Sequence, residues 1–190
     1  MSRLALRSCL LVAFLSVSTL AARSQKIVHA VSGTVTSIDK AASTITIKPD
    51  DGTNGFFRVL SDSHVSLDFD NKVRKESTPA ESFNKADARV VVLYYGGAWG
   101  VQRTAVALRD LGPGPFEQDN GAVIDFGKHR LKIKTSSGSE KTFHIDDKAV
   151  AETSLGAVMA DHYDPEQGDQ VRVIAEGTDG NMTALYIRAK

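Results

Sequence analysis

Apolar and polar positions alternate in short runs along most of this chain, and the runs recur in the same order twice. Val31 to Ile38 alternates with β-branched residues and predicts a first strand. Ala41-Ala42-Ser43 turns it into Thr44-Ile45-Thr46-Ile47-Lys48, a second alternating run. Pro49-Asp50-Asp51-Gly52 comes next as a turn, with proline presetting φ and glycine accepting φ > 0, and Phe56 to Leu60 reads as a third strand. Thr78-Pro79-Ala80-Glu81 has the form of a capping box with proline at the first helical position, which predicts a short helix to about Lys85. Val90 to Tyr95 and Val101 to Arg109 give two further strands around Gly96-Gly97.

Leu111-Gly112-Pro113-Gly114-Pro115-Phe116 interrupts this pattern, because alternating glycine and proline fit neither a helix nor a central strand. The order then begins again. Gly33-x-Val35-x-x-Ile38 returns as Gly121-x-Val123-x-x-Phe126, and Leu131 to Lys134 and Lys141 to Ile145 come after it around Ser136-Ser137-Gly138. Gly168-Asp169-Gln170-Val171-Arg172-Val173 opens a fourth strand, and Thr183 to Arg188 matches Thr104 to Arg109 position by position. The chain divides into a leader (1–25), unit one (26–110), a Gly/Pro linker (111–118) and unit two (119–190). The expected class is all-β: two tandem five-stranded OB-like β-barrels, the first with a short helix between its third and fourth strands. Periodicity alone leaves a small β-sandwich or an SH3-like barrel open.

The G-x-V-x-x-hydrophobic opening, the hairpin at Gly138 and the G-D-x-V-x-V entry at Gly168 resemble an exported bacterial domain-of-unknown-function family with OB-like barrels. The resemblance covers nearly all of unit two and, more loosely, unit one. There, Ala86-Asp87-Ala88-Arg89-Val90 stands where the Gly-Asp signature would be. These motifs are structural, so the resemblance implies a fold and an exported location and transfers no active site.

Export is also what the first 25 residues predict. Arg3 and Arg7 precede the apolar Leu10 to Leu15, and the small residues Ala21, Ala22 and Ser24 come after it, as in a cleaved secretory signal. The apolar run is too short for a membrane span. That leader holds three arginines and no acid in a chain of equal acids and bases, so the rest of the chain is mildly acidic. It also holds Cys9, the one cysteine, which removes disulfides, thiolate metal sites and a cysteine nucleophile from the remainder. The expected location is secreted or periplasmic, with no span left after cleavage. Two small cores without staples are each marginal, so the units are expected to bury surface against one another or a partner.

Comparing the units picks out candidate surfaces. Val91, Leu93 and Tyr95 stand where unit two has Arg172, Ile174 and Glu176, an apolar outer face that calls for a cover by the other unit or a second copy. Tyr95 and Trp99 flank Gly96-Gly97, where rings could stack on a ligand or merely pack across the hairpin. Lys128, Arg130, Lys132 and Lys134 fall at period two in unit two, a basic stripe that could hold a polyanion or simply face solvent. His144 with Asp146, and Asp161-His162-Tyr163-Asp164, are polar clusters without metal-site spacing. No G-x-S-x-G, Walker A or GxGxxG run occurs, so no catalytic residue, cofactor or metal is assigned. The sequence thus leads to a non-catalytic exported module that meets an unknown protein or an envelope polymer. A binder of anionic glycan through unit two is the alternative, and nucleic acid is disfavoured by the acidic balance.

Overall fold

A computed structural model describes residues 25–61, 64–97, 102–127, 129–178 and 180–190. The leader up to residue 24 lies outside them. In chain order the first unit contains β1 (Lys26–Ile27), β2 (His29–Asp39), β3 (Thr44–Pro49), β4 (Phe56–Val59), β5 (Leu67–Asp68), α1 (Asn71–Lys75) and β6 (Thr78–Pro79). A 3₁₀ turn at Ala80–Ser82, β7 (Arg89–Tyr95) and β8 (Thr104–Asp110) complete it. The second unit contains β9 (Phe116–Gly127), β10 (Arg130–Thr135), β11 (Glu140–Thr153) and β12 (Gly156–Met159). A 3₁₀ turn at Ala160–His162, β13 (Gln170–Thr178) and β14 (Asn181–Ala189) complete the second.

Each unit closes into a five-stranded barrel. The rings run β2-β3-β4-β8-β7 and β9-β10-β11-β14-β13, each returning to its first strand. In both, the third and fifth strands pair in parallel and every other pairing in the ring is antiparallel. This shared order makes both units OB-like barrels and leaves the sandwich and SH3-like alternatives without support.

The repeated G-x-V-x-x-hydrophobic spacing has a geometric cause. Gly33 is paired to Pro49 on one side and Val90 on the other, and Gly121 likewise to Thr135 and Val171. The first strand is therefore hemmed in on both edges at its glycine, and a Cβ on Gly33 would sit 2.6 Å from the Lys48 carbonyl oxygen. Three residues on, a β-bulge adds one unpaired residue, Thr36 in β2 and Ile124 in β9. The bulge lets Val35 and Ile38, or Val123 and Phe126, point into the barrel although three positions separate them. A second bulge recurs in the fifth strand at Val106 and Leu185, turning two consecutive side chains outward.

The helix lies elsewhere than Thr78 to Lys85. It is α1, started by Asp70, whose Oδ1 accepts the Lys72 and Val73 amides at 2.8 and 3.0 Å. Thr78 and Pro79 instead pair with Leu108 and Ala107 as β6. Buried Ala80 and Phe83 then draw the chain back into extended conformation after a single 3₁₀ turn. The second 3₁₀ turn, ending at Tyr163, occupies the same place in unit two. Strand β9 starts at Phe116, so the connection between barrels is shorter than 111–118. At the entry to the fourth strand Asp87 takes φ 57° where Gly168 takes φ 99°, so unit one keeps the left-handed corner without the glycine.

Among the described residues, three apolar cores result. One fills barrel one around Phe57, Val90 and Leu108, and one fills barrel two around Phe143, Leu131 and Ile187. The third lies between them and draws on both units: Val28, Val73, Val91 and Leu93 from the first, Leu111 from the connection, and Val150, Met159, Ile174, Leu185 and Tyr186 from the second. The bulges serve this third core directly, since Val106 with Ala107 and Leu185 with Tyr186 are its outward pairs. Backbone joins in, with the Ala157 amide donating to the Val28 carbonyl at 2.7 Å. Among the described residues no helix is long and apolar enough to cross a membrane.

Candidate functional site

The apolar outer face of unit one is covered at Val91 and Leu93 and partly covered at Tyr95. Val91 and Leu93 are buried in the core between the barrels, and Tyr95 packs against it. Polar groups line the same seam. Glu152 reaches across to barrel one, its Oε1 2.8 Å from His29 Nδ1 and its Oε2 accepting the Ala30 amide at 2.6 Å. The buried Tyr186 hydroxyl donates to the Ala30 carbonyl at 2.9 Å. Arg109, nearly buried, reaches Asp146 of unit two at 3.2 Å, and its low-dielectric surroundings pull its pKa down. Arg188 pairs with Asp51, Lys72 with Asp161, and Lys148 with Glu76, all between units. The polar clusters Asp146 and Asp161-His162 are therefore spent on holding the barrels together.

The basic stripe of unit two lies on β10 with Leu131 and Ile133 inward, and Lys128 falls outside the described residues. Arg130 binds Asp125 at 2.6 Å and Lys132 binds Glu140 at 2.6 Å, which leaves exposed Lys134 as the stripe's unpaired cation among the described residues. Nearby, an open cleft of about 640 Å³ is lined by His129, Arg130, Lys141, His144, Asn181 and Met182 among others. The His129 and His144 rings stack there at 6.2 Å. Among the described residues no group of three or more His, Cys, Asp or Glu side chains is placed to hold a metal ion.

Trp99 lies outside the described residues. Tyr94, near the end of β7, is engaged: its ring meets Phe57 edge-on at 5.3 Å, and the Arg103 guanidinium sits 5.0 Å from its centroid. Burial raises the pKa of that phenol.

An aromatic face is open instead on β3 and β4 of unit one, at positions equivalent to the basic stripe and its neighbour strand. Phe57 is buried in the barrel, so Phe56 and Arg58 on either side of it face out. Phe56 is 40% exposed and stands opposite Thr46, while Arg58 stands opposite Thr44. Lys48 extends the same face, and neither Lys48 nor Arg58 has an ion-pair partner among the described residues. Where unit two carries Arg130, Lys132 and Thr142, unit one thus carries Thr44, Thr46 and Phe56. The sequence signal for it was the alternation Phe56-Phe57-Arg58, in which only one of two adjacent rings can face the core.

No protein-family model and no curated protein matches the chain. Among solved structures, "drosophila Unr CSD456" is similar at 11% identity over 86% of this chain, with a TM-score of 0.32. The chain spans 61% of that structure's length, and a likeness at this level says nothing of what the chain binds.

Proposed function

We propose that the chain is a non-catalytic, exported interaction module that presents the β3–β4 face of barrel one to an envelope polysaccharide. The observation that carries this reading is the exposed Phe56 ring beside the unpaired Arg58 and the hydroxyls of Thr44 and Thr46. A flat ring stacks on a sugar ring, hydroxyls exchange hydrogen bonds with sugar hydroxyls, and an unpaired guanidinium favours an acidic sugar. The leader with Arg3, Arg7 and its short apolar run supports export. The non-catalytic reading is supported by what the shifted titratable groups are used for. His29, Asp51, Asp70, Arg109 and Arg188 are held in the seam between barrels, and Glu140 and Lys141 at the unit-two cleft are tied into ion pairs with Lys132 and with Glu117 and Asp119.

The test is binding of purified protein to a neutral glucan and to an acidic, heparin-like polysaccharide across a salt series. Phe56→Ala is expected to weaken binding by about tenfold, the worth of one aromatic contact. Arg58→Ala should flatten the salt dependence on the acidic polymer, and Lys132→Glu should change neither. Binding lost in Lys132→Glu and kept in Phe56→Ala would move the site to unit two. Absence of binding to both polymers would sink the polysaccharide reading.

A further inference from the structure

Two of the contacts that cross between the barrels are imidazole–carboxylate pairs, and the units exchange roles in them. His29 of barrel one meets Glu152 of barrel two, and His162 of barrel two meets Asp70 of barrel one at 3.1 Å. Glu152 is the more enclosed carboxylate, 9% exposed, and both its oxygens are used by barrel one. A carboxylate taken from water in this way needs its hydrogen bonds and its opposite charge to remain favourable. The other charged or titratable groups around His29 are Tyr94, 6.1 Å away ring to ring, Tyr186 on the Ala30 carbonyl, Arg103 over Tyr94, and Arg188 paired with Asp51. Of this set, imidazole is the group whose ordinary titration falls near neutrality.

We propose that the seam is a proton-operated clasp, in which protonated His29 ties barrel one to Glu152 of barrel two and neutral His29 lets that tie slacken. The hydrogen bond to Glu152 raises the His29 pKa above 6.5, against the lowering effect of burial and with the help of the Glu152 charge. A group raised in the folded state gives its full stabilisation below the unfolded value and loses it as pH rises through the folded value. The clasp is therefore closed in mild acid and open in mild alkali. At the second pair, burial tends to raise Asp70, but the Val73 amide, His162 and the Lys72 amide hold it below its usual value. A depressed carboxylate keeps its contribution above the unfolded value and loses it only as pH falls through the folded one, so Asp70 stays charged across the range in which His29 switches. His162 is more than half exposed, with Asp161 and Lys72 beside it, so solvent screens this pair and His29–Glu152 dominates.

Ring titration of His29 by NMR is combined with hydrogen exchange of the purified protein at about pH 5.5 and about pH 8.5, corrected for the intrinsic rate. His29 should titrate above its ordinary value. Protection of the Ala30 and Ala157 amides, both bonded across the seam, should fall by about three- to tenfold on passing to the higher pH. The Val35 amide, bonded within barrel one, should change much less. Glu152→Gln should bring His29 down to or below its ordinary titration, since burial alone then acts on it, and should abolish the seam-specific fall. If that variant does not fold, His29→Gln and the parent titration decide instead. A His29 that titrates at or below its ordinary value overturns the clasp, as does a fall that persists in either variant or is equal at Val35.

Discussion

Gly33 and Gly121 show how much of this architecture depends on single positions. Both sit where the first strand is paired on both edges, and neither needs a positive φ, so the requirement is for space. A methyl at Gly33 would press on the Lys48 carbonyl and on the Ile47 side chain, and at Gly121 on the Lys134 carbonyl. Backbone cannot yield as a flexible side chain can, so Gly33→Ala and Gly121→Ala should each destabilise by about 1–3 kcal/mol, as overpacking does. Gly138→Ala is the contrast. Nothing lies within 4 Å of a Cβ there, and its φ of 88° leaves only the left-handed backbone cost, about 1 kcal/mol. Urea unfolding of the three variants against the parent measures the difference. Equal losses at all three would mean that crowding at the first strand does not matter.

At the scale of the element, alternation made the strands legible. Thr44-Ile45-Thr46-Ile47 could only face its isoleucines inward, while the repeated spacing from Val35 to Ile38 was visible as a motif but its bulge showed only in the strand register. The helix was not legible in the same way. Asp70 caps α1 without an acidic partner three residues on, and only buried Val73 anchors its five residues to the core between barrels. The Phe56 face was hidden for a related reason: two adjacent phenylalanines look alike until a register decides which one faces inward. On β14 the bulge at Leu185 gives Tyr186 to the seam, where burial drives its phenol pKa far above normal and the hydroxyl has a backbone partner in the other unit. Tyr186→Phe keeps the packing and removes that one hydrogen bond. It should cost about 1–2 kcal/mol, and thermal melts at neutral pH would show it. A melt unchanged from the parent would mean that packing alone carries this strand's contribution to the seam.

For the whole molecule, the seam decides whether there are two folding units or one. Among the described residues, fifteen buried ones form the core between the barrels, against eleven in barrel one's own core and fifteen in barrel two's. Barrel one is thus the unit that depends more on its neighbour, and Leu93 is one of the residues it contributes to the shared core. It is fully buried in the shared core on the strand that a lone barrel would expose. Burying a leucine is worth about 1.5–3 kcal/mol, and placing an unpaired charge there adds the cost of taking it out of water. Leu93→Arg should therefore cost about 4 kcal/mol or more, with the loss falling on the seam and barrel one while barrel two keeps its separate core. In scanning calorimetry the parent should show one transition with equal calorimetric and van't Hoff enthalpies. Leu93→Arg should show two, the lower belonging to barrel one, with hydrogen exchange in β13 and β10 surviving it. Two transitions already present in the parent would mean that the barrels fold independently, and a Leu93→Arg protein with the parent's single transition would mean that the seam is not what joins them.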